Sequence, residues 1–263
     1  MAQDISSIAD ASKPNAGRIY DYLLGGHHNF EIDRQAAQQV IKALPLAPEI
    51  VRLVRWFLGE AVRRLCDEGY RYFLDFASGL PTVDHIHQIA PQGSKVIYSD
   101  IDPVTVAYAQ EIVEDEPDIR YVSCDAAKAQ ELLESDVVAQ LFGSQRRITI
   151  GFNGIAWFLP DESVAHTMKV LYDWAGEGSK LFISDCDQSH ATKELLQVME
   201  MYKNFGQPGY LRTQDTLLKL IGPWRVADPG FMPLEQWIDI EDRITEEVRA
   251  LLGFGMSGVI LQK

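Results

Sequence analysis

The spacing of apolar residues along the chain changes near residue 70. Over residues 15–69, apolar positions recur at helical spacing. We expect a first helix that ends at Gly25-Gly26, a second over residues 33–43, and a third that follows Pro48. Residues 1–14 lack this pattern and are predicted to form a flexible arm.

From residue 70 onwards, short apolar runs alternate with longer helical segments. The runs predict strands at 72–76, 95–99, 119–123, 147–151 and 180–184, and the helices between them fall at 81–90, 103–114, 128–142 and 161–175. Strands that alternate with helices form a mostly parallel sheet with helices on both faces. The predicted fold is therefore α/β, Rossmann-like and doubly wound.

The remainder of the chain extends this pattern. Helices are predicted near 190–205 and at 213–220, strands at 224–227 and 258–261, and a charged surface helix at 239–252. We therefore expect a helical cap over residues 15–69 and a main domain over residues 70–263, which together form one compact unit.

Composition and charge narrow the function classes. The formal net charge of −14 argues against a protein that wraps nucleic acid, because phosphate binding needs clustered Lys and Arg. The three cysteines lie far apart and show no metal-binding spacing, so we expect no metal site. The polar start of the chain and the lack of a long apolar run predict a cytoplasmic protein that does not bind a membrane.

Two neighbouring segments carry the strongest functional signal. "FLDFASGLPT" ends the first predicted strand in a turn of small residues, Ala77-Ser78-Gly79, and "VIYSDIDP" ends the second in Asp100, roughly 20 residues later. A small turn lets the backbone approach a ligand, and an acid at the next strand end accepts hydrogen bonds from ribose hydroxyls. The turn has one glycine and no basic residue for a phosphate. A nucleoside without a pyrophosphate fits this pattern, and S-adenosyl-L-methionine is such a ligand.

The other strand ends offer further contacts, because ligands of doubly wound sheets bind beyond the carboxyl ends of the strands. Asp75 is placed to brace the turn or to accept a hydrogen bond from the ligand's amino group. Ile101 is placed against the adenine, and Asp125, which precedes Ala126, near the adenine amino group. Asn153 follows the fourth strand and is expected at the reacting end.

The segment over residues 15–34 is dense in polar, aromatic and glycine residues. One interpretation is a helix with a glycine C-cap that docks on the main domain, and the other is a lid over the ligand. A lid would present Arg18, or a tyrosine such as Tyr22, to the carboxylate of the ligand.

An oxygen or nitrogen acceptor needs a general base, and the candidates for it are His27, His28 and Asp21. Trp157 and Phe158 lie after the fourth strand, where they either stabilise a sulfonium by a cation–π contact or pack in the core.

Together these segments resemble the class I S-adenosylmethionine-dependent methyltransferases. The combination of "GRIYDYLLGGHHNFEIDRQAA", "FLDFASGLPT", "VIYSDIDPVTVAYAQ" and "VADPGFMPLEQW" is similar to one subfamily, the S-adenosyl methyltransferases of unassigned substrate, over about residues 14–262. The resemblance implies a sheet of about seven strands whose last strand is antiparallel. It also implies methyl transfer from S-adenosyl-L-methionine to an unidentified acceptor, for which we expect a small molecule.

Two positions depart from that subfamily. Ala77 stands where the family usually has glycine, and an alanine restricts φ and adds a methyl group beside the ligand. The loop over residues 155–161 has aromatic residues where the family pattern leads us to expect histidines.

Two alternative functions and one question of assembly stay open. One alternative is a non-catalytic S-adenosylmethionine-binding protein. The other is a nicotinamide-dependent oxidoreductase, which would need a fuller glycine-rich turn. The apolar face of the third helix serves either the core or a homodimer.

Overall fold

The structure, a computed structural model, describes residues 13–82, 84–240 and 255–263. Residues 1–12 of the predicted arm and residues 241–252 of the predicted surface helix lie outside the described residues. Among the described helices, none is both long and apolar enough to cross a membrane.

One mixed sheet organises the chain. Its strands are β1 (Tyr72–Asp75), β2 (Lys95–Asp100), β3 (Ile119–Ser123), β4 (Thr149–Asn153), β5 (Lys180–Cys186), β6 (Arg225–Val226), β7 (Met232–Pro233) and β8 (Met256–Gln262). The order is β3-β2-β1-β4-β5-β8-β6, and β7 pairs with β8. Strands β1 to β5 are parallel, whereas β8 is antiparallel to β5, β6 and β7.

This topology confirms the predicted doubly wound sheet with an antiparallel last strand. The sheet has eight strands rather than about seven because the two-residue β7 adds to the edge. Strand order reverses between β1 and β4, and ligands of such sheets bind at that switch point, beyond the carboxyl ends of the strands.

Helices precede the sheet and cover it. They are α1 (Ala16–Leu23), α2 (Glu31–Ala43), α3 (Ala47–Asp67), α4 (Ile86–Ile89), α5 (Pro103–Ile112), α6 (Ala129–Leu133), α7 (Asp136–Phe142), α8 (Asp161–Trp174), α9 (Lys193–Asn204), α10 (Gln214–Leu220) and α11 (Leu234–Trp237). The boundary predicted at residue 70 falls between α3 and β1.

The long helix α3 packs its apolar face on the sheet. Phe57 is fully buried and meets the Phe182 and Trp237 rings edge-on, at centroid distances of 6.4 and 5.3 Å. Gly258 in β8 makes room for this ring, because a Cβ there would lie 2.4 Å from it. The apolar face of α3 therefore serves the core, and the homodimer stays a prediction.

Two predicted helices are wrong in extent. The helix predicted at 81–90 is only α4, because Asp84 adopts a left-handed φ of 50° and the His85 ring caps the N–H of Ile86 at 3.1 Å. The helix predicted at 128–142 is divided into α6 and α7. The extended Ser135 ends α6, and its hydroxyl donates to the Leu132 carbonyl at 2.6 Å.

Arg18 anchors the first helices to the second strand end. Its buried guanidinium donates from Nε to Asp33 Oδ2 at 2.8 Å and from Nη1 to Asp102 Oδ1 at 2.9 Å. Asp33 also accepts from the backbone N–H groups of Asn15 and Phe30, both at 2.9 Å. Three buried charged side chains thus satisfy one another between α1, α2 and the start of α5.

We expect Arg18→Met to lower the free energy of unfolding by about 3–5 kcal/mol, because it leaves two buried carboxylates without their cation. Urea-induced unfolding measures this loss. The control is Arg63→Met, since Arg63 is exposed and pairs with Glu60, and such surface pairs contribute about 0–1 kcal/mol. Equally small losses in both variants would contradict an anchoring role for Arg18.

Candidate functional site

A cavity of about 420 Å³ opens at the carboxyl ends of β1 to β5, between these strand ends, α1 to α3 and α9. Small-molecule sites typically measure about 300–1,000 Å³. Nine residues that the sequence predicts around the cofactor line this cavity: Asp75, Ala77, Ser78, Gly79, Asp100, Ile101, Asp125, Ala126 and Asn153. The structure therefore brings the predicted strand ends together on one site.

The turn after β1 holds an uncommon backbone conformation. Ala77 and Gly79 have φ angles of 50° and 61°, in the left-handed region. The buried Ser78 braces the turn: its hydroxyl donates to the Asp75 carbonyl at 2.9 Å and its N–H to the Ser99 carbonyl at 2.8 Å. A left-handed alanine costs about 1–3 kcal/mol and persists only where the surroundings enforce it, as they often do at ligand sites.

Asp100 closes the same turn from the end of β2. Its Oδ2 accepts from the Gly79 N–H at 3.1 Å, and its Oδ1 accepts from the Asp102 N–H at 2.9 Å. Each carboxylate oxygen has a second lone pair, so ribose hydroxyls can still bind. Burial raises the pKa of Asp100 to about 6. Its neighbour Ile101 leaves 62% of its surface exposed, as an apolar platform at the rim of the cavity.

Asp75 and Arg55 bring opposite charges to the cavity without pairing. Asp75 is buried, and its Oδ1 has no hydrogen-bond partner in the described chain. Gly151 accommodates that oxygen, because a Cβ there would lie 1.9 Å from it. Burial raises the pKa of Asp75 to about 6, although the charge of Arg55 acts in the opposite direction.

Arg55, on α3, is a site residue that the sequence analysis missed. It is 7% exposed, it lines the cavity, and its Nε and Nη1 have no partner among the described residues. Its guanidinium lies 5.6 Å from the centre of the Tyr20 ring. The sequence contains one feature that could have identified Arg55, because it is an arginine beside Val54 and Phe57 in the apolar stripe of the third predicted helix. Unpaired buried guanidinium donors are costly, and a carboxylate ligand would supply a charge-assisted acceptor for the Arg55 guanidinium.

The ends of β3 and β4 are held by their own side chains. Asp125 accepts from the Ala127 N–H at 2.9 Å. The Asn153 amide donates to the Val54 carbonyl at 3.0 Å and accepts from the Ser184 hydroxyl at 2.6 Å. Asn153 therefore joins β4 to α3 and β5 while it lines the cavity.

The aromatic loop after β4 is well braced. Trp157 donates from Nε1 to the Gly154 carbonyl at 2.9 Å. The buried Arg212 donates to the Ala156 and Leu159 carbonyls at 2.9 and 2.7 Å. Trp157 and Phe158 both line the cavity, with their ring centres 4.8 Å apart.

Arg18 and Tyr22, both predicted to contact the cofactor carboxylate, do not line the cavity in the described structure. Arg18 is committed to Asp33 and Asp102. The Tyr22 hydroxyl accepts from the Gln38 amide at 2.6 Å. From α1, the structure brings Tyr20 to the cavity wall instead.

The three candidate bases also lie outside the described lining of the cavity. Asp21 accepts from the His28 N–H at 3.0 Å and braces the glycine turn, where a Cβ on Gly26 would lie 2.1 Å from its carboxylate. The His28 ring packs edge-on against Tyr108 at 5.2 Å, and His27 is exposed. Within residues 13–82, 84–240 and 255–263, no group of three or more His, Cys, Asp or Glu side chains is arranged to hold a metal ion.

Asp185 lines the cavity from the end of β5 and was also missed, because the strand was predicted to end at residue 184. Its Oδ1 lacks a partner in the part of the chain that the structure describes, and its Oδ2 lies 3.8 Å from Arg212 Nη1. Burial raises the pKa of Asp185 to about 7, against the charge of Arg212. The folded protein therefore holds this proton more tightly than the unfolded chain does.

The contribution of Asp185 to stability is present below about pH 4 and is lost as the pH rises through about 7. We therefore expect the free energy of unfolding to fall between about pH 4 and pH 7, and to fall less steeply in Asp185→Asn. Chemical unfolding at several pH values measures the slope. The control is Glu31→Gln, because the Arg34 side chain lowers the pKa of this exposed glutamate and its charge is not among those that shift the pKa of Asp185. The same slope in wild type and Asp185→Asn would refute the assignment.

Comparisons with known proteins agree with this geometry. A family described as S-adenosyl methyltransferase matches residues 2–259. The chain is similar to a candidate methyltransferase from Thermobifida fusca YX, with 27% identity, 97% and 96% of the two chains covered and a TM-score of 0.86. It is also similar to a DUF574 family protein from Streptomyces avermitilis MA-4680, with 25% identity, 97% and 99% coverage and a TM-score of 0.87.

A magnesium protoporphyrin IX methyltransferase from Synechocystis PCC 6803, solved with bound S-adenosylmethionine, shares the fold alone, at 13% identity, 100% and 98% coverage and a TM-score of 0.55. A comparison with curated proteins gave no match. The family match spans nearly the whole chain and confirms S-adenosyl-L-methionine as the cofactor. This chain belongs to the S-adenosyl methyltransferase family.

Proposed function

We propose that the protein transfers the methyl group of S-adenosyl-L-methionine to a small molecule that binds inside the same cavity. The observation that carries the proposal is the continuity of the cavity, which extends from the strand ends to the apolar side chains of α2 and α9 under the first helices. The cofactor supplies an activated methyl group. The residues of the chain bind it, orient it and exclude water from the reacting centre.

The charges in the cavity support one orientation of the cofactor. Asp100 accepts hydrogen bonds from the ribose hydroxyls, with Ile101 against the adenine and Asp125 near its amino group. Arg55 pairs with the carboxylate, since it lines the cavity and forms no ion pair with a described residue, whereas the Arg18 guanidinium already pairs with Asp33 and Asp102. The unpaired Asp75 Oδ1 then accepts from the ammonium group.

The cavity also bears on the non-catalytic alternative. A binding protein that has lost its acceptor site would have that space filled by Tyr20, Tyr22 or Trp157. Instead, Tyr20 and Trp157 lie in the wall of an open space of about 420 Å³, and Tyr22 lies outside the described lining. This arrangement supports a catalytic role, and the family assignment leaves the nicotinamide-dependent alternative without support.

Two ligands test the placement of the cofactor. S-adenosylhomocysteine carries the amino-acid part, and methylthioadenosine lacks it. Arg55→Met should weaken the binding of S-adenosylhomocysteine by about 10–100-fold, because a charge-assisted hydrogen bond contributes about 1.5–3 kcal/mol. The same variant should leave the affinity for methylthioadenosine unchanged. Isothermal titration calorimetry measures both affinities.

Asp100→Asn is the matched variant for the other end of the ligand. It should weaken both ligands alike, by about 1–3 kcal/mol, because both carry the ribose. If Arg55→Met weakened both ligands equally, Arg55 would not bind the carboxylate. If Asp100→Asn weakened neither, the ribose site would be misplaced.

A labelling experiment tests the class of acceptor. The protein is incubated with methyl-labelled S-adenosylmethionine and, separately, with a dialysable metabolite extract or with the protein and nucleic-acid fraction of the same cells. We expect label in a dialysable product, and less of it with Asp100→Asn when the cofactor concentration does not saturate the variant. Transfer to the macromolecular fraction alone would refute a small-molecule acceptor.

A further inference from the structure

One part of the cavity is not accounted for by the strand ends. We call it the apolar chamber and define it by six lining residues: Leu44, Ile50, Phe158, Leu195, Val198 and Tyr202. All six belong to, or pack against, a single apolar cluster that α1, α2 and α9 share, so the chamber lies where the first helices meet α9.

The charge of the lining excludes several classes of ligand. None of the six chamber residues is charged, and the charged residues of the whole described lining are Arg55, Asp75, Asp100, Asp125 and Asp185. With one cation among four carboxyl groups, no further arginine or lysine is present there to neutralise a phosphate or a carboxylate. A charged acceptor would also lose its hydration in the apolar chamber, which is costly without a partner.

The chamber contains one uncommitted polar group. The Tyr202 ring packs at a tilt against Trp157 and edge-on against Phe158 and Phe205, at centroid distances of 6.1, 5.8 and 6.0 Å. Its hydroxyl makes no hydrogen bond to any other residue in the described ranges, and burial alone raises its pKa. Tyr202 lines the cavity and its hydroxyl bonds to no described residue, so it is available to a ligand that offers one hydrogen bond.

From this arrangement we infer that the methyl acceptor is an uncharged, largely hydrocarbon or aromatic small molecule that lies in the apolar chamber and hydrogen-bonds to the Tyr202 hydroxyl. That this ligand is the methyl acceptor rests on the proposed function. The chamber's preference for uncharged aromatic ligands can be measured without turnover.

Two dyes with the same aromatic body test the preference. N-phenylnaphthylamine is uncharged, whereas anilinonaphthalenesulfonate carries a sulfonate. With S-adenosylhomocysteine bound, we expect the uncharged dye to bind at least about tenfold more tightly, because the sulfonate would be desolvated without a cation. Fluorescence titration measures both. Equal affinities, or tighter binding of the sulfonate, would overturn the inference.

Adjacent residues of α9 provide a matched pair of variants. Leu195 is 6% exposed and lines the chamber, whereas Leu196 is 52% exposed on the opposite side of the helix surface. Leu195→Trp should weaken binding of the uncharged dye by at least about tenfold, because the indole fills the chamber, whereas Leu196→Trp should not. S-adenosylhomocysteine should bind both variants alike. Equal effects of the two tryptophans on the dye would contradict the location.

A smaller substitution in the chamber tests the inference if Leu195→Trp does not fold. Tyr202→Phe removes only a hydroxyl that bonds to none of the described residues. The affinity for naphthol should fall about fivefold and that for naphthalene should not change. An unchanged naphthol affinity would remove Tyr202 from the inference. If the dye and naphthol results held but the wild type transferred no methyl group from S-adenosylmethionine to any fraction, the proposed function would fail and the chamber would stand.

Discussion

The buried contact of Arg18 with Asp33 and Asp102 is the constraint on which the site depends. Desolvating three charged groups is expensive, and good geometry with further hydrogen bonds offsets that cost. Asp102 shows how complete the geometry is: one oxygen accepts from Arg18, and the other accepts from the N–H and hydroxyl of Thr105 at 2.9 and 3.0 Å. The position of α1 is therefore tied to the start of α5.

The same contact extends into the cavity. The Asp102 N–H donates to Asp100 Oδ1, and Asp100 Oδ2 holds the Gly79 N–H. Gly79 is fixed from its other side, since its carbonyl accepts from the Tyr121 hydroxyl at 2.7 Å. A chain of hydrogen bonds thus runs from α2 through Arg18 to the turn after β1. The first helices and the strand ends that line the cavity therefore form one hydrogen-bonded structure, although Arg18 itself does not line the cavity.

Features encoded by neighbouring residues were predictable, and contacts between distant ones were not. The strand ends after β1 to β4 follow from patterns that span a few residues, whereas the antiparallel last strand was expected only from the resemblance to the methyltransferase family. Pro103 after Asp102 indicates a helix start, and Asp102 does cap α5. Which of two helical arginines reaches the cavity depends on a contact across 84 residues, between Arg18 and Asp102, that no local pattern contains. Arg55 was therefore missed and Arg18 was placed at the ligand.

Local rules also failed where a particular side chain overrode a general preference. Proline commonly occupies the first position of a helix, so a helix was predicted to begin at Pro81. Instead, Asp84 is left-handed and the His85 ring caps the helix, so that α4 begins at Ile86. At Ala77, by contrast, the sequence correctly identified the unusual residue, since it occupies a left-handed conformation that favours glycine. Its backbone strain adds to the cost of the unpaired groups on Arg55, Asp75 and Asp185.

That cost bears on how the cavity would bind a charged ligand. A protein that leaves one guanidinium and two carboxyl oxygens unpaired in one cavity is less stable than its core alone would make it. A zwitterionic ligand supplies both missing charges, so part of its binding energy restores interactions that the fold leaves unmade. The apolar chamber beside these groups contains no unpaired charge. A ligand there would be stabilised by burial of apolar surface and by a hydrogen bond to the Tyr202 hydroxyl. The two parts of the cavity therefore favour different ligands. The charged strand ends favour a ligand that pairs with their charges, and the apolar chamber favours a ligand without charge.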